Sequence, residues 1–412
     1  MGSSPDPVRI EITGMGIVTS IGQNIATFQE ALFTGKTHFG YLKRPGRQGF
    51  KPFLGAELPD IEAKSLFPEY SNLLRTASWS TQIATIAVSE AWQDAKLSSG
   101  GVNPERVGIV VGGSNFQQRY QEEIWQRYAD KPEFLRPTYG VTFWDTDLVS
   151  LLSQCFHIQG EGYSVAGASA GGSIALIHAA RQIQLGVADV SIAVGPLFDI
   201  SLWECQGLKN LGAMGSERFA DTPNLACRPF DRDHDGFIYG ESCGVVVLEK
   251  AEHAQQRGVV SHGQLIGWGL GLDGNRSPEP SQKGEERAMN AALAMAELKP
   301  EQIDYVNTHG TSSPLGDKTE VAALKSVGLS HCLVNATKSL TGHCLTAAGV
   351  VEVIATLLQM KAGFCHPTNN LVNPIDTKFN WVKETAKEAD IKYAISNSFA
   401  FGGINTALVI GK

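Results

Sequence analysis

No Cys-x-x-Cys pair occurs in the sequence, and its seven cysteines are scattered and odd in number. That argues against a structural zinc site, so no metal is expected, and reads as a reduced, cytoplasmic protein. A basic surplus is missing too: 34 Lys and Arg face 42 Asp and Glu, a formal net charge of -8. A nucleic-acid partner needs a basic face, so none is expected, although a small local patch fits this balance. Long apolar runs are also absent. The longest are interrupted by Gly or polar residues, and no helix is expected to span a membrane. The opening MGSSPDPVRI lacks the apolar stretch of a signal peptide, and Asp6 stands where a myristoylation pattern needs Ser or Thr. Part of Met1 to Ser4 reads as a cloning scar.

What is present is a chain of 412 residues, 42% hydrophobic and 18% charged, enough for a large core or two domains. Continuous apolar runs at 107–111, 188–194 and 243–248 read as buried strands. Apolar residues recur at helical spacing over 76–95, and residues 115–145, rich in aromatics and charges, read as an insertion with its own helix. Small residues followed by a long helix occur twice, in ASAGGSIALIHAARQIQLG and in GHCLTAAGVVEVIATLLQMKAG. Each ends in Gly, a common helix stop. Strand and helix alternate, which implies parallel strands with crossover helices. The echo between the halves predicts an internal duplication, divided at 1–255 and 256–412, rather than two unrelated α/β domains.

Four stretches carry candidate chemistry: VAGASAGGS, NTHGTSSPLGDKTE with His309, NATKSLTGHCLTAAG with Lys338 and His343, and SNSFAFGGIN with Phe401. Together with RPFDRDHDGFIYGES they resemble, in order and along nearly the whole chain, the motifs of the β-ketoacyl synthase family. The resemblance implies an α/β thiolase-like fold, with two pseudo-repeated halves, mixed five-stranded sheets and αβαβα layering. It also implies a homodimer that takes malonyl groups from acyl carrier protein. Ser169 falls where the family places its nucleophilic cysteine. His309 matches the HGT histidine, Lys338 and His343 match the KSxxGH pair, and Phe401 matches the gating phenylalanine. Ala400 replaces the glycine before it. Gly167 and Gly171 depart from the family as well, so Ser169 reads as native rather than engineered.

A cysteine at a helix start is favoured as thiolate by the helix dipole, whereas a serine there needs an adjacent general base. Acyl transfer to Ser169 is therefore expected to be slow or absent. Decarboxylation asks for less. Loss of carbon dioxide from a malonyl thioester places negative charge on the thioester oxygen, and two imidazole N–H groups, from His309 and His343, can stabilise it as an oxyanion hole does. Lys338 is expected to orient these groups, with Glu320 a candidate ion-pair partner. Each residue also has a plainer reading: Ser169 as a helix N-cap, Phe401 as core packing, Cys344 as buried filler.

The reading that follows is a ketosynthase-like decarboxylase converting malonyl- to acetyl-acyl carrier protein, similar to the cysteine-lacking enzymes of polyketide β-branching cassettes. Those supply an HMG-CoA-synthase-like enzyme. No cofactor is expected to reside in the protein, because 4'-phosphopantetheine arrives on the carrier. Its arm is expected to pass the hydroxyls of Thr311 and Ser313. Lys64, Arg75, Lys209 and Arg218 are candidate carrier contacts, and Phe116 and Tyr120 are candidates for a reshaped acyl pocket. The alternatives are a non-catalytic chain-length-factor-like subunit and a condensing synthase that uses serine or carries an engineered Cys-to-Ser change.

Overall fold

The computed structural model describes residues 8–49 and 51–412. Asp6 and the suspected scar at 1–4 lie outside the described residues. The first half supplies strands β1 (Ile10–Thr19), β2 (Val107–Gly112), β3 (Gly162–Val165), β4 (Val190–Gly195) and β5 (Ser242–Lys250). The second supplies β6 (Gly263–Leu272), β7 (Tyr305–Asn307), β8 (Leu333–Asn335), β9 (Asn380–Trp381), β10 (Tyr393–Ala400) and β11 (Ile404–Gly411).

The duplication is written in the pairing. From the centre outward the first half runs β1-β5-β4-β2-β3 and the second β6-β11-β10-β7-β8. In each half the two inner pairs are antiparallel and the two outer pairs parallel. The halves are not separate sheets, however. Glu11 and Ile12 pair with Gln264 and Gly263, which joins β1 to β6 in one 11-stranded sheet, and the short β9 adds a sixth strand to the second half.

The main helices are α1 (Trp79–Asp94), α2 (Gln118–Tyr128), α3 (Gly171–Gln184), α4 (Leu202–Asn210), α5 (Gln282–Met295), α6 (Pro314–Val327) and α7 (Ala348–Ala362). Alternate residues of a strand point to opposite faces, and here each face has its own core. On β5, Val246 and Leu248 join the central cluster with α3 and α7, while Cys243, Val245 and Val247 face outward against α1. On β11, Leu408 and Ile410 face the same central helices, while Ala407 and Val409 pack against α5 and α6. The result is the αβαβα layering of a thiolase-like fold. The stretch 345–362, containing α7, is apolar enough to cross a membrane, but 83% of it is buried as the central helix of this core.

Candidate active site

The two central helices deliver the site. Ahead of α3 the chain makes a single 3-10 turn, Ala168–Ala170, entered through Ala168 at φ 42, a left-handed conformation costly for a residue with a Cβ. The helix start lies against the end of β2, where a Cβ on Gly171 would stand 2.5 Å from the Gly112 carbonyl oxygen, so glycine is required. Ser169 is not the N-cap, because Ala170 holds that position. Its side chain is instead half-buried, with Oγ 2.9 Å from His343 Nε2.

His343 precedes α7. Its backbone is fixed by N–H donation to Ile238 at 2.7 Å and by acceptance from Gly240 at 3.1 Å. Its Nδ1 accepts the Leu345 N–H at 3.4 Å, which leaves the ring proton on Nε2. Nε2–H is therefore the donor and Ser169 Oγ the acceptor. The structure does place a histidine beside the serine, closer than the sequence led us to expect, but in the tautomer that cannot take a proton from it.

His309 follows β7 in a turn held from below. Glu320 accepts the N–H groups of His309 and Gly310, each at 2.8 Å. Lys338 Nζ donates to the His309 carbonyl at 2.6 Å, stands 3.3 Å from His309 Nδ1, and forms a buried ion pair with Glu352. With Nδ1 accepting from the lysine, the His309 proton also sits on Nε2. The two imidazole rings are 5.5 Å apart at 85°. Burial drives both histidines well below their ordinary pKa, and Lys338 adds to it, so both are neutral. Burial raises the Glu320 carboxyl to about 7 against the pull of its two backbone N–H groups, and Glu352 to about 7 against the pull of Lys338.

The expected partner of Lys338 is thus corrected: Glu352 pairs with it, and Glu320 instead ties the His309 turn. Glu352 had a signal in the sequence, as the lone charge within the apolar stretch 348–358 of α7. Glu285 was also missed. It is 1% exposed on the cavity wall, its Oε2 has no hydrogen-bond partner among the described residues, and burial together with Glu320, Asp273 and Glu286 raises it well above the carboxylate range.

One cavity of about 810 Å³ gathers Ser169, His309, His343, Thr311, Ser313, Ala400 and Phe401, with Lys338 behind its wall. Thr311 and Ser313 share a hydrogen bond of 2.8 Å between hydroxyls. Phe401 is 40% exposed at the tip of the β10–β11 turn, not packed into the core. Gly402 and Gly403 supply the turn's left-handed angles, φ 81 and 69, while Ala400 ends a strand and needs none. Phe116 and Tyr120 are not on the cavity wall: Phe116 is fully buried in the outer core of the first half, and the Tyr120 hydroxyl meets Thr142 at 3.2 Å. Cys344 is buried, its thiol raised to about 11 by burial, which removes it as a nucleophile. Of the carrier candidates, Lys209 lies on α4 between cavity residues Leu208 and Leu211, whereas Lys64 and Arg75 do not line the cavity. Among the described residues no group of His, Cys, Asp and Glu is arranged to hold a metal ion.

Comparison with known proteins agrees with this fold. Residues 8–254 match the family model for the β-ketoacyl synthase N-terminal domain, and residues 262–372 match that for the C-terminal domain. The chain is 47% identical over 402 residues to the polyketide biosynthesis malonyl-ACP decarboxylase PksF of Bacillus subtilis (strain 168), covering 98% of this chain and 96% of that one. It is 30% identical over 411 residues to 3-oxoacyl-[acyl-carrier-protein] synthase 2 of Coxiella burnetii, covering 98% of each. Among solved structures, the ishigamide ketosynthase/chain length factor superposes with a TM-score of 0.89 at 27% identity, over 98% of this chain and 99% of that one. A β-ketoacyl synthase from Burkholderia phymatum STM815 gives 0.88 at 29%, with the same coverage.

Proposed function

The chain belongs to the β-ketoacyl synthase family, and from that premise we propose that it decarboxylates malonyl-acyl carrier protein to acetyl-acyl carrier protein without condensation. The observation that carries this is the pair of neutral imidazoles, each fixed with its proton on Nε2 and both facing the cavity that holds Ser169.

The malonyl thioester oxygen accepts from both Nε2–H groups. The bond to the carboxylate breaks, carbon dioxide leaves, and the electron pair moves into an enolate whose oxygen the two buried donors stabilise. Lys338 stands behind the cavity wall and Glu320 reaches that wall, and both hold His309 in place. Ser169 takes no acyl group, because its histidine neighbour already carries the proton it would need to accept. The enolate has no acyl-enzyme to attack and is protonated to acetyl.

In this reading the 4'-phosphopantetheine arm enters past Thr311 and Ser313, with Phe401 at the mouth, and the reaction needs no resident cofactor or metal. The role is that of a cytoplasmic enzyme of polyketide β-branching, feeding an HMG-CoA-synthase-like partner. A homodimer is supported by the exposed apolar side chains of Trp125, Phe134, Val141 and Trp144, 56–69% accessible along one segment. Mass spectrometry after mixing with malonyl-carrier protein tests the reading. Acetyl-carrier with unmodified enzyme is expected. No change would favour a chain-length-factor-like subunit, and an acyl-enzyme a condensing synthase.

A further inference from the structure

Decarboxylation leaves an α-carbon that must gain a proton before the product is complete, and the two histidines are committed to the oxygen. Ser169 offers a proton at the right place. Its Oγ is the acceptor in the 2.9 Å contact with His343, since Nδ1 of that ring takes the Leu345 N–H. The serine's own O–H is therefore not used there, and no other hydrogen bond engages it among the described residues. The side chain is half-buried on the cavity wall, where that O–H is free to point inward.

An oxygen held by His343 Nε2–H lies about 3 Å from that nitrogen, as Ser169 Oγ does. The α-carbon, two bonds from the thioester oxygen, then falls within reach of the serine hydroxyl. Resting on the decarboxylase reading above, we propose that Ser169 is the acid that protonates the enolate at carbon. The enolate double bond takes the hydrogen of the Ser169 O–H, the thioester carbonyl re-forms, and the O–H electron pair stays on Oγ. As the carbonyl re-forms and charge leaves the thioester oxygen, the His343 Nε2–H returns to Oγ and, with the start of α3, stabilises the alkoxide, which regains its proton from water. The net change is malonyl thioester plus water to acetyl thioester plus bicarbonate. An alcohol is a weak acid, but the α-carbon of a thioester enolate is a far stronger base than an alkoxide, so the transfer runs downhill. A cysteine thiolate at this position would have no proton to give; serine changes the position from nucleophile to acid.

The partition of the enolate tests this. With 13C-bicarbonate in the buffer, an enolate quenched at once becomes acetyl, whereas one left waiting recaptures labelled carbon dioxide and returns as malonyl. Wild type, Ser169→Ala and Ser169→Thr are each turned over with malonyl-carrier, and recovered malonyl- and acetyl-carrier are weighed by mass spectrometry. We expect Ser169→Ala to raise 13C in malonyl per acetyl formed by about tenfold or more, in line with loss of a positioned acid. Ser169→Thr, which keeps the hydroxyl, should return toward wild type. Equal labelling in wild type and Ser169→Ala overturns the role of Ser169 while leaving the decarboxylase intact. A wild type that forms no acetyl-carrier overturns the decarboxylase reading, and this proposal with it.

Discussion

Lys338 grips His309 twice, donating to its carbonyl oxygen at 2.6 Å and approaching its Nδ1 at 3.3 Å. The same ammonium pairs with Glu352, so its three protons are directed at three acceptors on buried residues. Removing the ammonium alone strands a carboxyl in the core, which typically costs about 3–5 kcal/mol. Lys338→Met should therefore lower stability by about that much in denaturant melts. Lys338→Met with Glu352→Gln should recover most of it. Decarboxylation should stay at least about tenfold down in both, because neither variant fixes the His309 tautomer. Full activity in the double variant would remove Lys338 from the mechanism.

The histidines themselves should be less forgiving. His309→Ala and His343→Ala each delete one donor to the enolate oxygen, and each should slow malonyl-carrier decarboxylation by about a hundredfold. Wild-type-like rates in both would sink the two-donor mechanism.

A third histidine is a stability element. His366 is fully buried, donating from Nδ1 to the Pro367 carbonyl at 2.9 Å and accepting at Nε2 from Thr337, also at 2.9 Å. Burial lowers it to about 4 from 6.5. The fold then binds fewer protons than the unfolded chain. The stability is fully present above 6.5 and is lost as pH falls toward 4, by about 3 kcal/mol for a shift of this size. Glu320 and Glu352, raised to about 7, act the other way, contributing below 4.5 and losing that contribution as pH rises through 7. His366→Gln should flatten the acid side of a melting-temperature profile between pH 6.5 and 4 relative to wild type. An unchanged slope would show that His366 titrates normally.

The duplication was legible because each half repeats buried apolar strands and a Gly-terminated central helix, patterns that depend on local burial alone. The single sheet was not, since it hangs on two residue pairs far apart in sequence, and the Gln264-to-Glu11 side-chain hydrogen bond of 2.9 Å that accompanies them has no local pattern to announce it. The site residues were legible as motifs. Their support was legible only in part: Glu352 stands out as the lone charge of an apolar stretch, but its reach to Lys338 does not, and Glu285 reaches the cavity through α5, far from any motif. The exchange of glycine for Ala400 was legible, but that it leaves the turn unstrained was not, because the left-handed angles belong to Gly402 and Gly403.

Carrier docking should be local. Lys209, which follows cavity residue Leu208 on α4, shares Glu217 with Lys51, and Arg218 pairs with Asp233 at 2.8 Å. Lys209→Glu should weaken binding of the acidic carrier at low salt and flatten the salt dependence of its affinity. Charge reversal at Lys64 or Arg75, off the cavity wall, should do less. Equal effects at all four positions would move the docking face away from α4.

Ser169→Cys reads the electrostatics of the position directly. All seven native cysteines are buried, and burial pushes their thiols up, Cys155 to about 11 and Cys205 to about 12. A thiol at 169 would instead sit just ahead of Ala170, the N-cap of α3, with His343 Nε2–H aimed at it. Both favour thiolate. Iodoacetamide at neutral pH should label the variant at position 169 and leave the unmodified protein untouched. Weak acyl loading from an acyl thioester should accompany it, and Ala400 poses no backbone obstacle to the turn that carries Phe401. The control matters as much as the variant. If unmodified protein forms an acyl-Ser169 adduct at a rate that matches turnover, His343 must act as a base after all, the tautomer fixed by Leu345 is wrong, and the chain condenses rather than decarboxylates.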